Sequence, residues 1–422
     1  MNLNQKLIQF SSILFYLIPI ALLTGPFLPD LFICIIGLVF IYISLKEKYF
    51  KYYKNNFFYF FVCFNFFIII SSLDSQFKLH SLESSLTYFR FGIFSLATWF
   101  LIDFNKNLIK NFTYIFISIF LIAIVDSYYQ FYNGVNLFGV STEVANRLVL
   151  LLNDKVYLGG YLSRLIPLLI GLIIFTFTKN KKSSYIFVCL LLILTDISIY
   201  LSGERTALGL LLICTLMIIL LIKNFRILRL ISLLTSIIIF FLISIYSPEI
   251  KERNFDKTYH QIFTQKKDGN IAIFSIHHES HILTSIRMFK DKPLIGHGPN
   301  TFRKLCSNSE YQYDELSCST HPHNIYIQLL AETGLIGTTI FLLFPFSLIY
   351  LIIIHLISIV SQKKFILSDF QICIITCLVL TTFPFLPTQN FFNNYINAIF
   401  YLPLGFYLYS IYDKNLILND KK

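Results

Sequence analysis

Charge is what this sequence has least of. Asp, Glu, Lys and Arg supply only 14% of its 422 residues, against roughly 25% in a soluble domain, and this excludes a single water-soluble globular core. There is no phosphate-cradling glycine loop, no His-Glu-x-x-His pair, no Gly-x-Ser-x-Gly turn and no internal repeat. Soluble nucleotide-sugar chemistry is therefore unsupported. What abounds instead is apolar: 56% hydrophobic residues, 17% aromatic, and a mean hydropathy of +0.68. Apolar runs of about 17–20 residues recur, each long enough to cross a hydrocarbon layer as a helix. Barrel strands would show as short alternating segments, so helices are the spanning solution left.

The formal net charge of +11 would suggest nucleic acid in a soluble chain, but its placement argues against that partner. Lys and Arg concentrate in short loops such as KEKYFKYYK (46–54), KNKK (179–182) and KNFRILR (223–229), the bias that marks a cytoplasmic face. The first apolar run, 7–23, resembles a signal peptide. No small-residue cleavage site follows it, so it reads as a retained signal-anchor helix. Twelve spans are predicted, near 7–24, 27–45, 57–73, 86–102, 111–130, 157–178, 184–201, 206–222, 230–246, 335–360, 370–388 and 395–412. Alternation from a cytoplasmic amino terminus puts the Lys-rich loops and the tail DKNLILNDKK inside. The expected fold is an all-α polytopic membrane protein: nine transmembrane helices in 1–246, a long periplasmic helical loop in 247–333, and three more helices in 334–422.

Two outer segments stand out, 133–160 and 247–333; loops this long are uncommon unless functional. The second carries His260, His277, His278, His281, His297, His321 and His323, seven of the nine histidines. It reads as two helices. One, 280–291, places Ile282, Ile286 and Phe289 on one face and stops at Pro293, so it should lie on the membrane surface or over the bundle. The other should start at Pro322 and end at Gly334. Between them GHGPN (296–300) is a turn.

Within the first turn of that second helix, His323 would feel the positive end of the helix dipole, which disfavours imidazolium. A neutral imidazole there could take a proton from an incoming hydroxyl; the other reading is a capping or solvated histidine. Arg205, in SGERTAL, sits at an outer turn where a planar guanidinium suits a diphosphate, or else snorkels or pairs with Glu204. Arg147 and Arg164 flank the start of the sixth span, and Arg164 falls inside the hydrocarbon boundary. Such a charge marks a site, or pairs with a carboxylate such as Asp126 or Asp196. Arg287 and Arg303 are loop arginines. His278 and His281, at i, i+3, could join His321 and His323 around a metal, but the spacing matches no closed zinc pattern, and no metal or cofactor is assigned. Cys306 and Cys318 bracket SNSEYQYDELS in the outer loop, where a disulfide persists; two free thiols are the other reading. Most of the remaining cysteines lie in spans as small hydrophobes.

His323-Asn324, nine residues, then Gly334-Leu335-Ile336-Gly337 resembles the signature of bacterial O-antigen ligases, whose superfamily domain O-antigen polymerases share. KDKPLIGHGPNTF (290–302), SGERTAL and RLVLLLNDKVYLGGYLSRLIP (147–167) resemble further motifs of that family, so the likeness covers about 147–337. It implies an inverting, metal-independent glycosyltransferase of the GT-C type in the bacterial inner membrane, its active site facing the periplasm. The donor would be an undecaprenyl-diphosphate-linked glycan and the acceptor a hydroxyl of lipid A-core. A polymerase with a glycan acceptor, a protein-glycosylating ligase and, in another class, a non-catalytic glycolipid transporter or flippase are the rivals. His323 would be catalytic and Arg205 would bind diphosphate, with Arg147, Arg164 and Arg287 as further diphosphate contacts. Asn324, Gly334, Gly337, His321 and His281 support the motif. One departure stands out. The family often opens its first loop helix with a second arginine in an Arg-then-Trp context, where this chain has HHESHILTSIR, with His278 or His281 near that place and Arg287 a turn or two later.

Overall fold

Each long apolar run folds into a helix, and polar residues at the run's edge begin it. The computed structural model describes residues 2–141, 147–177, 182–265, 271–362 and 364–412. Nine helices come first: α1 (Leu3–Ala21), α2 (Phe27–Lys46), α3 (Asn56–Leu73), α4 (Lys78–Phe104), α5 (Leu108–Asn133), α6 (Leu158–Phe177), α7 (Lys182–Leu201), α8 (Arg205–Leu221) and α9 (Arg226–Tyr246). After a stretch of short helical turns come α10 (Ile276–Asp291), α11 (Ile325–Gln362), α12 (Asp369–Thr381) and α13 (Asn394–Tyr412). Side chains of Asn2, Asn55, Ser275 and Ser368 accept first-turn N–H groups, so the start points of α1, α3, α10 and α12 follow directly from sequence.

Among the described residues, eight helices are long and apolar enough to cross a membrane, and three shorter ones (Tyr185–Leu201, Arg205–Leu221, Asp369–Thr381) are apolar. A polytopic all-α protein is thus what the chain forms, and each of the twelve predicted segments falls on a helix. Part of the Lys-rich turn at 179–182, and the tail 413–422, lie outside the described residues. Helix α6 is apolar nearly all round, and accordingly it is the bundle's centre, with α5, α7, α8 and α12 packed around it. Helix α4 lies between α3 and α13.

Four departures from expectation have local causes. Helix α4 starts at Lys78 rather than near 86, because Ser81 and Ser85 are not solvated but bonded to Ser72 of α3 at 2.9 Å each. The loop helix expected at 322–334 begins at Ile325. Asn324 caps it, its side-chain oxygen accepting from Tyr326 N at 3.0 Å and Ile327 N at 3.2 Å, so Pro322 and His323 precede the helix. It breaks at Gly334 as expected, but runs straight on into the following span, giving one kinked α11. Helix α12 stops at Thr381, not 388, since Pro384 and Pro387 cannot continue it. Residues 382–393 are irregular, a conformation tolerated at such a depth only where protein groups satisfy the backbone. They do: Asn324 Nδ2 donates to Pro384 O at 3.0 Å, and His323 O accepts from Thr388 N at 2.7 Å.

Helix α10 begins at Ile276, one turn before the expected 280. Its buried face is Ser280, His281, Ile282, Thr284, Ser285 and Met288, not the predicted Ile282, Ile286 and Phe289 stripe. Small polar side chains let it press closely against α11, which an aliphatic stripe would not. Arg229, counted above with the cytoplasmic charges, instead lies within α9, wholly buried. It meets Asp196 of α7 at 2.7 Å.

Candidate active site

Backbone contacts fix the loop before any side chain acts. Gly334 takes φ +63°, and a Cβ there would lie 2.4 Å from Leu294 O. That space is used by the turn after α10: Leu335 N donates to Pro293 O at 2.7 Å, and Gly298 N to Glu332 O at 2.7 Å. At Gly296 a Cβ would meet the Glu332 carbonyl carbon at 2.4 Å, and at Gly337 the Thr333 side chain. The motif glycines therefore weld the 293–298 turn to α11. The fully buried Glu332 carboxylate completes the joint, accepting from Asn300 N and Phe302 N at 2.9 Å each. Cys306 and Cys318 are joined in a disulfide, as expected, with Cα atoms 5.1 Å apart.

This frame assembles four of the loop histidines around one point. The His323 ring centroid lies 4.1 Å from that of His321, 5.0 Å from His278 and 5.5 Å from His281. His321 is buried, with Nε2 toward Thr388 O at 3.1 Å and Nδ1 toward Thr320 Oγ1 at 2.9 Å. Ser275 Oγ meets His278 Nδ1 at 2.8 Å. Carbonyls of Leu316 and Cys318 face the His281 ring, while its buried Nδ1 has no partner. His323 itself sits at φ +58°, a left-handed conformation costing a non-glycine residue roughly 1–2 kcal/mol, and strain of this kind concentrates at functional sites. Its Nε2 has Ser319 Oγ at 3.3 Å, and its other ring nitrogen has no partner among the described residues. His297 and His355 are structural, bonded to the carbonyls of Met288 and Leu221.

The imidazoles are neutral, as anticipated for His323, but the cause differs from the one expected. His323 lies ahead of the helix, so its environment acts in place of the dipole: burial first, then His281, lowers its pKa to about 4. Burial and the same crowding take His278 and His321 to about 3. Among the described residues no group of three or more His, Cys, Asp or Glu is disposed to hold a metal ion.

His278, His321 and His323 line a cavity of about 350 Å³. Its lining also holds Arg147, Arg164, Arg205 and Arg253 with a single carboxylate, Glu204. Three of these arginines were predicted from sequence. Arg205 is held by neutral groups, its Nη1 donating to Gln261 Oε1 at 2.7 Å and Thr258 Oγ1 at 3.3 Å. Arg164 is buried in α6, and it faces Glu204 rather than Asp126 or Asp196. Glu204 accepts from Gly159 N at 2.7 Å and Gly160 N at 3.1 Å, and burial pushes its pKa up to about 7. Arg287 does not join them. It lies on the exposed side of α10, bonded to Gln312 O and over the Tyr313 ring, because its position on the helix points away from the histidines. Arg303 is exposed and outside the cavity too.

Sequence reasoning missed Arg253, which looks like one more charge in a polar run, and missed Thr388, at the end of a stretch read as helix, and Gln389 just after it. Through Arg164, Thr388 and Gln389 the cavity adjoins a small apolar one of about 30 Å³ lined by Tyr88, Ile325, Phe341, Phe391 and Phe400. A space lined by guanidiniums and neutral imidazoles suits an anion.

No curated protein matches the chain. The family model described as O-antigen ligase matches residues 187–342, a stretch that includes His278, His321 and His323, Arg205 and Arg253, and the glycine joint at Gly334. Over residues 187–342 the chain is thus similar to the O-antigen ligase family, a likeness that supports the O-antigen ligase-like resemblance read from its motifs.

Proposed function

We propose that the protein transfers a glycan from an undecaprenyl-diphosphate donor to a hydroxyl of lipid A-core, at the periplasmic face of the bacterial inner membrane. The observation that carries this reading is that four guanidiniums and His323 line one cavity. In the reaction, the acceptor O–H attacks the anomeric carbon as the bond from that carbon to the phosphate oxygen breaks. The diphosphate leaves with the bonding electrons, and His323 takes the hydroxyl proton. A single displacement of this kind inverts the anomeric centre. Arginine forks stabilise charge developing on the leaving group, and an anionic donor favours the imidazolium that forms beside it.

Purified protein given the lipid-linked donor and lipid A-core, in excess EDTA, should yield the core bearing the glycan. Longer glycan on the donor lipid instead would identify a polymerase. No transfer to any acceptor, with lipid passing between leaflets of vesicles, would identify a transporter and sink the proposal.

The pH profile carries a second expectation. A general base must be neutral in the free protein, and His323 is held so until about pH 4. The acid limb of kcat/KM should therefore fall near pH 4 instead of near 6.5, the ordinary histidine value. Folding follows the same sign: stability is full above 6.5 and is lost as pH falls toward the depressed values of His278, His321 and His323. Rates need measuring after brief acid exposure, with refolding controls at pH 7. A limb at 6.5 would remove His323 in this environment as the base.

A further inference from the structure

The stretch between α9 and α10 supplies more than a connection. Residues Pro248–Lys251, Glu252–Asp256, Lys257–Tyr259 and His260–Thr264 wind as successive helical turns, two of them of the wide π type that recurs at functional sites. Thr258 and Gln261, the neutral partners of Arg205, come from this winding. So does Arg253, whose Nε donates to Gly203 O at 3.2 Å, tying it to the turn that carries Glu204 and Arg205. Its two terminal nitrogens have no hydrogen-bond partner among the described residues, and its guanidinium lines the cavity.

Elsewhere in this protein, arginines that order the fold are paired. Arg90 bonds Asp30, and Arg229 bonds Asp196 at 2.7 Å. Among the described residues, none of Arg147, Arg164, Arg205 and Arg253 has a carboxylate within the 4 Å of an ion pair, and one glutamate serves all four. The buried Nε atoms of Arg147 and Arg164 have no partner at all. Burial and its like-charged neighbours Arg147 and Arg205 both work against the charge of Arg253. Such clustering costs stability without an anion and is offset when one binds. His278, at the opening of α10, is neutral and cannot supply that charge.

We infer that Arg253 is a second guanidinium for the donor's diphosphate, acting alongside Arg205 so that each phosphate meets its own fork. The inference rests on the donor proposed above. It locates on the winding before α10 a charge that α10 itself lacks.

Binding of undecaprenyl diphosphate to the detergent-solubilised full-length protein tests it, with undecaprenol as the uncharged control. Arg253→Gln should weaken diphosphate binding about tenfold or more, the scale of one charge-assisted contact. Arg253→Lys, retaining the charge, should recover part of the loss. Glutamine can still donate to Gly203 O, so a purely structural arginine would tolerate it. Wild-type affinity in Arg253→Gln, alongside a loss in Arg205→Gln, would overturn the role of Arg253 and leave the donor reading standing. Equal losses in the Gln and Lys variants together with a lowered unfolding temperature would show a structural role and overturn it too. If the wild-type chain binds undecaprenol as well as the diphosphate, the donor reading fails, and this inference with it.

Discussion

Replacing His323 should lower glycan transfer by about 10²–10⁴-fold, the contribution of a positioned general base, while the protein still inserts and folds. Its place in the structure makes the experiment clean. The His323 backbone is left-handed at φ +58°, which asparagine tolerates better than most residues do, so His323→Asn removes the base with little added strain. His323→Ala tests the same function with that backbone cost unrelieved. The carbonyl of residue 323 continues to accept from Thr388 N in either variant, so the 382–393 segment keeps its anchor. Turnover by purified variants, normalised to folded protein, is the measurement. Activity within tenfold of wild type in both would exclude His323 as the base. Arg205→Lys should fare poorly in the same assay, because a point charge lacks the bidentate fork.

A comparable effect on stability is expected far from that cavity. Asp196 and Arg229 are each 1% exposed, and the pair is knitted to Ser236 at 2.9 Å and to Thr215 at 3.0 Å. Asp196→Ala leaves a guanidinium buried with only hydroxyls for company, at a cost of about 3–5 kcal/mol. Asp196→Ala with Arg229→Met removes both charges and should recover most of that loss, since a buried pair is itself expensive to desolvate. Unfolding midpoints in detergent distinguish the cases. A single variant as stable as wild type would mean that the pair contributes nothing, and a double variant no better than the single would mean that packing, not charge, sets the cost.

What the sequence revealed of the architecture came from local signals. Apolar run length and breaks at Pro293 and Gly334 act over a few residues, and a helix lies on every predicted segment. The arginines were legible for a related reason: Arg147, Arg164 and Arg205 stand out against apolar or glycine-rich surroundings. Arg253 does not, because KERNFDK is polar apart from Phe255 and only the winding of that stretch brings it to Gly203. Arg229 misled for the opposite reason. It ends a run of basic residues that looks like a membrane flank, and only its neighbour across α7 shows that it is inside. The buried face of α10 was misread because serine and threonine give no hydrophobic period, yet close approach to α11 selects them. The convergence of His278, His281, His321 and His323 rests on glycine contacts between 293–298 and 331–336, which no local pattern announces.

The cavity is also not coextensive with the stretch that matches the O-antigen ligase family. Arg147 and Arg164 precede residue 187, and Thr388 and Gln389, which line the cavity, follow residue 342. The carbonyl toward which His321 points, and the amide that holds the His323 backbone, both belong to Thr388. The recognised segment is therefore not a portable cassette. Grafted as 187–342 into another bundle, it would arrive with its histidines and with Arg205 and Arg253, but it would borrow two guanidiniums and part of the lining from its host. Compatibility between host and insert would have to be matched at α6 and at the turn after α12, positions that family boundaries drawn along the chain leave out.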